Sequence, residues 1–432
     1  MPLELTHIID FWLGIPLCWI STVIHSLSLR LQRVKTIRPK KILFIELSEM
    51  GSAIIAYSAL ARARALYGND LYFLIFRKNS ESVSVTSVIP EENIITIDER
   101  NIFVFALSFF KAILKIRKLN IDTTIDLELF ARCTSIISFL SGAERKVGFY
   151  RHTHEGCYRG NFLSHRVLYN SHQHMALNFL ALVASLEAPA DEYPMLKRNL
   201  SDLVRQLPPM DISTKEREKI WRQIQVQRPD VTAETKFIIL NPDPGALPLR
   251  GWPVDRFVEV SQQILERYPD IILIVTGLQR SKTFAELLQK RLGSERCLDL
   301  TGKTASVREA IVLLSFGKVL VTNDSGPAHL ATLTDTEIVV LFGPETPMLY
   351  GPVGTNVQSL YAGLSCSPCY AASNHRRTRC RDNKCLQAIS VSQVFTAIRR
   401  ALGENPLPIL DNQDDLKPNL PEIRPLVSGT MN

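Results

Sequence analysis

Short apolar, β-prone runs alternate with helical patterns along almost the whole chain, and that alternation leaves few folds open. Lys41–Leu47 (KILFIEL) is the first such run; Ser48-Glu49-Met50-Gly51-Ser52 turns the chain, and a helical pattern follows over Ala53–Leu66. Further strands are expected at Leu71–Phe76, Asn93–Ile97 and Thr123–Leu127, with helices at Phe103–Arg117 and Thr134–Leu140. Strands separated by helices pair in parallel, in a sheet covered on both faces. The second half repeats the scheme. Its strands are expected at Lys236–Leu240, Ile271–Thr276, Leu298–Leu300, Val319–Thr322 and Ile338–Phe342, with helices at Phe257–Tyr268, Phe284–Leu292, Val307–Ser315 and Val391–Leu402. The fold class is α/β, with two Rossmann-like, doubly wound domains.

The 432 residues then divide as follows. Residues 1–40 are an apolar segment with a basic flank, 41–205 the first Rossmann-like domain, and 206–235 a charged linker. Residues 236–402 are the second domain, and 403–432 a tail rich in Pro, Asp and Asn that reads as disordered. Residues 151–172 (RHTHEGCYRGNFLSHRVLYNSH) break the pattern and read as a polar, aromatic excursion over a binding face.

In open parallel sheets ligands bind beyond the carboxyl ends of the strands. In the second half those ends carry Asn241–Gly245, Gly277–Arg280, Thr301–Thr304, Asp324–His329 and Gly343–Thr346, five short polar loops expected to converge. Asp324-Ser325-Gly326-Pro327-Ala328-His329 is the most telling. A strand ends there and a helix begins, so its free N–H groups suit a phosphate, and His329 one turn on can add a hydrogen bond. An ordinary helix cap with a surface His329 is the plainer alternative.

The net charge of +7 is diffuse, which fits an anionic substrate or membrane face and argues against nucleic acid as a partner. Phe11–Ile24 carries no charge and is interrupted by Gly14 and Pro16; it is short of the roughly 20 apolar residues of a full span. No small-residue cleavage site suggests a secretory leader. Two Trp (Trp12, Trp19) and the basic flank Arg30, Arg33, Lys35, Arg38, Lys40 and Lys41 fit a membrane interface with the main body on the cytoplasmic side. Whether the segment spans or lies in the interface stays open, and a buried helix is the alternative. Of eight Cys, four are scattered, and four form Cys366-x2-Cys369-x10-Cys380-x4-Cys385, in a loop with His375, Arg376, Arg377 and Arg379. Four thiols at this spacing can close a structural zinc site; an iron–sulfur cluster, a disulfide pair or reduced thiols are the alternatives.

Three segments together carry a resemblance. Leu300–Thr304 (LTGKT), Asp324–His329 (DSGPAH) and Leu341–Pro347 (LFGPETP), with Ile125-Asp126-Leu127 and Val147-Gly148-Phe149 in the first half, resemble glycosyltransferase family 9, which includes the ADP-heptose:lipopolysaccharide heptosyltransferases. The resemblance covers roughly residues 41 to 400. It implies a GT-B fold, two Rossmann-like domains facing across a cleft. It also implies inverting, metal-independent transfer of a sugar from a nucleotide-diphosphate donor to an envelope glycan such as lipopolysaccharide core, at the cytoplasmic face of the inner membrane. No catalytic cofactor is implied. The donor site then maps onto Arg250, Thr301, Gly302, Asp324, Ser325, Gly326, Pro327 and His329, with Arg250 standing where the family usually has Lys. A helix N-terminus, a guanidinium and an imidazole can carry the charge that grows on the leaving diphosphate.

The chain departs from the family at two places. The acid that the family sets after the glycine of the first strand–helix loop is Ser52 here, and serine needs a partner to act as a base. Glu49, three residues earlier, is the candidate base; Glu128 and the set His152, His154 and Glu155 are further candidates, and Glu128, His152 and His154 read as acceptor-binding. Near Gly277 the family's Gly-x-x-Glu is replaced by Gly277-Leu278-Gln279-Arg280-Ser281-Lys282, which leaves the donor's base and sugar open. A non-catalytic nucleotide- or glycan-binding protein and a nucleotide-sugar epimerase or hydrolase are the rival functions.

Overall fold

The computed structural model describes residues 3–29, 38–129, 131–150, 158–245, 247–371 and 378–406. The chain divides into two compact units, the first Met1–Val204 with Ala371–Arg376 and the second Arg205–Tyr370 with Arg377–Asn432. The first holds six strands, β1 (Ile42–Ile45), β2 (Leu71–Phe76), β3 (Ile94–Ile97), β4 (Thr123–Asp126), β5 (Arg145–Tyr150) and β6 (His165–Leu168), in spatial order β3-β2-β1-β4-β5-β6. The second holds β7 (Lys236–Asn241), β8 (Ile271–Val275), β9 (Cys297–Asp299), β10 (Gly317–Asn323), β11 (Glu337–Phe342) and β12 (Val357–Tyr361), in order β12-β11-β10-β7-β8-β9. All pairings are parallel. Both are the doubly wound order, whose winding reverses between the first and fourth strands. Those strands are in register at their carboxyl ends, Ile45 opposite Asp126 and Asn241 opposite Thr322, so the loops beyond them start side by side.

Burial explains which runs became strands. β1 and β8 are buried at every position, as strands covered on both faces must be. In the first unit Leu43, Ile45, Tyr72, Leu74, Ile95 and Ile97 form one sheet face. The helix Ile102–Lys118 covers it with Ala112 and Ile116, and the helix Cys133–Leu140 with Ile137. In the second unit Ile238, Leu240, Val319, Val321, Val339 and Leu341 lie under the helices Val254–Arg267 and Val391–Ala401.

Three strands go beyond the sequence reading. β5 follows the Cys133–Leu140 helix, β6 lies inside the polar excursion, and β12 closes the other sheet. β6 and β12 are edge strands with mostly half-buried side chains, so their apolar content is diluted. The stretch 206–235, read as a linker, carries the helix Thr214–Gln227. Ser213 and Glu216 cap it reciprocally, Ile220 and Ile224 are buried, and Trp221 stacks on Phe316. It packs as part of the second unit.

The N-terminal segment forms helices Leu3–Trp12 and Gly14–Leu29, continuous through Leu13, whose N–H bonds the Ile9 carbonyl at 2.9 Å. It is docked on the first unit. The Asp10 carboxylate accepts the backbone N–H of Arg132 (2.7 Å) and Cys133 (3.2 Å) and Nη1 of Arg132 (2.9 Å), so it caps the Cys133–Leu140 helix from outside that helix. Gly14 allows the approach: a Cβ there would lie 2.8 Å from Cδ of Arg132. Thr22 accepts the Asn161 N–H at 2.8 Å, while Trp12, Trp19 and Leu27 point outward and are exposed.

Candidate functional site

In the second unit Asn323 ends β10 with its side chain wholly buried. Its Oδ1 accepts the Trp252 N–H at 2.9 Å and its Nδ2 donates to the Pro242 carbonyl at 3.0 Å, which fastens the loop after β7 to the end of β10. The loops after β8 and β9 are joined by the Gly302 N–H bonding the Gly277 carbonyl at 2.8 Å. Gly302 has φ +70°, a left-handed conformation that favours glycine, and a Cβ there would also crowd Gln279. Thr301 is buried, and its hydroxyl has no partner among the described residues.

Arg250 ties three loops together. Its Nη2 donates to Glu345 Oε1 at 2.9 Å, its Nε lies 3.4 Å from Asp324 Oδ2, and its Nη1 reaches the Asp324 carbonyl at 3.5 Å. Both carboxylates are buried, so one guanidinium faces two acids. Burial pushes Glu345 up to about 8 and pushes Asp324 upward too, each against the pull of Arg250. Burial thus resists a second negative charge beside Arg250, and the two carboxyls titrate as a coupled pair. The guanidinium expected to meet a phosphate is therefore already engaged by Asp324 and Glu345. Glu345 was not singled out from sequence; the only signal was a carboxylate beside the loop glycine of β11.

The pH consequence has a definite sign. A carboxyl that titrates higher in the folded state stabilises the fold below its unfolded value, and that stability is lost as pH rises toward about 8. The melting temperature of the chain is expected to fall between about pH 5 and pH 9, and Glu345→Gln, which keeps an acceptor for Arg250, should flatten that fall. Identical pH profiles for the two proteins would remove Glu345 as the titrating group.

Ser325 precedes the helix Gly326–Leu330, which has only five residues before a 3-10 turn at Ala331–Leu333. Such a helix has little dipole, so anion binding there rests on its first free N–H groups. Gly326 and Pro327 are half-buried and His329 is buried at 6 % exposure. The two cations near Gly277 are both engaged: Arg280 Nε lies 3.7 Å from Asp243 and Lys282 Nζ 2.5 Å from Asp299.

In the first unit the loops after β1 and β4 carry the candidate acids. Glu49 precedes the helix Met50–Ile55, and the Ser52 hydroxyl donates to Glu49 Oε2 at 2.8 Å. A carboxylate thus sits against the position where serine replaces the expected acid. Glu128 is buried; Oε1 accepts the Leu129 N–H at 3.1 Å, and the Ser48 hydroxyl lies 3.4 Å from Oε2. Arg159, which sequence reasoning missed, donates to Asp126 Oδ2, to the Glu128 carbonyl and to Thr134 Oγ1. Burial pushes the Asp126 carboxyl up to about 6 even so. A cavity of about 250 Å³ opens beside them, lined by Asp126, Ser135, Gly148, Phe149, Tyr158 and Arg159 among others. A buried acid at a strand end was the available signal that a cation must come from elsewhere. His152, His154 and Glu155 lie outside the described residues.

Of the alternatives open to the four clustered thiols, a structural zinc site finds no support among the described residues. Cys366 and Cys380 are exposed and Cys369 half-buried, whereas Cys385 is buried under Gly343, where a Cβ would lie 3.0 Å from its sulfur. Burial pushes the Cys385 thiol up to about 11, so it packs as a small apolar group. Among the described residues no group of three or more His, Cys, Asp or Glu is arranged to hold a metal ion.

Comparison with known proteins supplies the context for this geometry. Residues 114–378 match the model of glycosyltransferase family 9 (heptosyltransferase). Lipopolysaccharide heptosyltransferase 2 of Salmonella typhimurium is 27% identical over 146 residues, 31% of this chain and 41% of the relative. The chain thus spans less than half the length of the first curated relatives it matches. Lipopolysaccharide core heptosyltransferase OpsX of Haemophilus influenzae is 21% identical over 327 residues, 75% of this chain and 85% of the relative. Among solved structures, E. coli ADP-heptose lps heptosyltransferase II superposes with a TM-score of 0.64 at 19% identity, covering 84% of this chain and 98% of that one. E. coli heptosyltransferase WaaC with ADP-2-deoxy-2-fluoro heptose gives a TM-score of 0.57 at 15% identity, covering 83% of this chain and 99% of that one. At these identities the structural likeness is one of fold, and it is the paired Rossmann-like fold expected from the resemblance.

Proposed function

Because the chain belongs to glycosyltransferase family 9, the heptosyltransferase family, we propose that it transfers a sugar from a nucleotide-diphosphate donor to a cell-envelope glycan such as lipopolysaccharide core. ADP-heptose is the first donor to test, since solved proteins of this fold are named for it or hold its analogue. The acceptor hydroxyl attacks the anomeric carbon, the bond to the diphosphate breaks, and the hydroxyl proton passes to a base. The configuration inverts and the nucleoside diphosphate leaves with the bonding electrons.

The observation that carries this reading is the 2.8 Å hydrogen bond between Ser52 and Glu49. It answers the main reason for a non-catalytic reading, the serine at the acid position, because Glu49 offers a carboxylate at the same spot from one turn earlier. We assign Glu49 as the base, Ser52 as its positioning residue, and Glu128 to the acceptor side. Donor binding falls to the second unit, through Thr301, Gly302, the Ser325–Gly326–Pro327 turn and His329, with Arg250 and Asp324 setting the charge balance beneath them. No catalytic cofactor enters the reading, because loop N–H groups and His329 can meet the charge of the leaving diphosphate.

The reading places the chain at the cytoplasmic face of the inner membrane, with the N-terminal helix lying in the interface. By length and composition the apolar stretch Ile8–Leu27 could cross a membrane, longer than the sequence reading allowed; its bonds to the domain at Asp10 and Thr22 support the interfacial placement. The test is a thermal-shift series with ADP, UDP, GDP and their sugars, followed by mass spectrometry of an incubated acceptor. A nucleotide at about 100 times its Kd stabilises by about 2.7 kcal/mol, so ADP is expected to raise the melting point clearly. No shift with any nucleoside diphosphate would overturn the donor site.

A further inference from the structure

We propose that the outward face of the helix Ile102–Lys118 is a lipid-contacting surface for an anionic bilayer, acting together with the N-terminal helix. A helix covering a Rossmann-like sheet needs one apolar side, and this one has it: Ala112 and Ile116 are buried, with Phe105, Phe109 and Ile113 packed beside them. The opposite side is apolar as well. Phe103 is 84 % exposed, Leu107 59 %, Phe110 66 % and Leu114 68 %. Their spacings of four, three and four residues put all of them on one stripe of an α-helix. Exposed apolar side chains scattered singly are ordinary, whereas a continuous stripe marks an interaction surface.

The charges around the stripe select the partner. The helix contains no acidic residue and four exposed cations, Lys111, Lys115, Arg117 and Lys118. At 100° per residue Lys111, Lys115 and Lys118 fall on one flank of the stripe and Arg117 on the other. This is the layout of a helix lying in a membrane interface, with aromatic and aliphatic groups in the acyl region and long basic side chains reaching to phosphates. A protein partner would need a complementary acidic rim, and a second copy would set like charges against each other.

A second element points the same way. Ala112 and Ile116 of this helix and Ile137 of Cys133–Leu140 share one cluster over β1, β2 and β3, so both helices cover the same sheet face. The N-terminal helix rests on Cys133–Leu140 and turns Phe11, Trp12, Trp19 and Leu27 outward. Both exposed apolar elements therefore ride on one side of the first unit. Two modest attachments on one surface give stable binding where either alone is marginal.

The test uses the full chain and sedimentation with vesicles, either phosphatidylglycerol with phosphatidylethanolamine or phosphatidylcholine alone. Wild type is expected to bind the anionic vesicles and not the neutral ones. Phe103→Ser with Phe110→Ser and Leu114→Ser should weaken that binding by about ten-fold or more, with an unchanged melting point. Should the serine variant fail to fold, Lys111→Glu with Lys115→Glu and Lys118→Glu decides: it should lose binding at low salt to a similar degree. Vesicle binding equal to wild type in the folded variants would overturn the proposal. So would light scattering that shows a wild-type dimer dissociated by the serine substitutions while vesicle binding persists. Transfer to a water-soluble acceptor fragment should be unaffected, which separates failure here from failure of the catalytic reading.

Discussion

Glu49→Gln is expected to lower turnover by about 10²–10⁴-fold, the usual contribution of a positioned general base, while donor affinity stays within a few-fold of wild type. The amide is nearly isosteric and can still accept the Ser52 hydroxyl that now lies 2.8 Å from Glu49 Oε2. What it cannot do is take a proton. A base acts on the acceptor hydroxyl, so its loss leaves nucleotide binding in the second unit untouched; steady-state rates and calorimetry separate the two. Ser52→Asp in the Glu49→Gln background gives a sharper reading. It returns a carboxylate to the position where the family resemblance sets one, and part of the lost turnover should return with it. Full activity in Glu49→Gln would remove Glu49 as the base and move attention to Glu128, whose carboxylate lies beside Ser48 in the neighbouring loop.

What the sequence made legible follows from how each feature is encoded. β1, β7, β8, β10 and β11 are buried strands, and burial on both faces writes a continuous apolar run that no other element explains. The loops at their ends are equally legible, because glycine, proline and short polar residues are forced there by the turn. β6 and β12 carry edge patterns that their own polar residues blur. The candidate acids and the donor loop were read from short motifs. Their partners were not: Asp10 meets Arg132 across 122 residues, Asp126 meets Arg159 across 33, and Arg250 meets Glu345 across 95. Local periodicity carries no information about pairs at that separation. The cysteines show the limit of spacing: it is open to a metal or to reduced thiols alike, and only packing shows Cys385 buried beneath Gly343.

Arg250→Met is expected to destabilise the chain by about 3–5 kcal/mol, the range for removing one partner of a buried ion pair. Met keeps the apolar stem but not the guanidinium, so the loss is chiefly one of charge with a smaller contribution from lost volume. Asp324 and Glu345 are both buried and would be left with no guanidinium between them. The loss should grow with pH. Burial pushes both carboxyls up against the pull of Arg250, so at low pH protons can stand in for the missing cation. Without Arg250 both buried carboxyls are pushed further up, so keeping the fold costs more as pH rises, and the penalty is larger near pH 9 than near pH 6. Denaturant unfolding of wild type and Arg250→Met at the two pH values measures this difference. Glu345→Gln in the same background should recover part of the stability at high pH and little at low pH. Arg250→Lys keeps the charge but loses the fork that spans both acids, so it should fall between the two. A pH-independent loss in Arg250→Met would mean that Glu345 is not the group that titrates. Nucleotide affinity should fall in Arg250→Met as well, since the positive charge that holds the Asp324–His329 loop to its neighbours is gone.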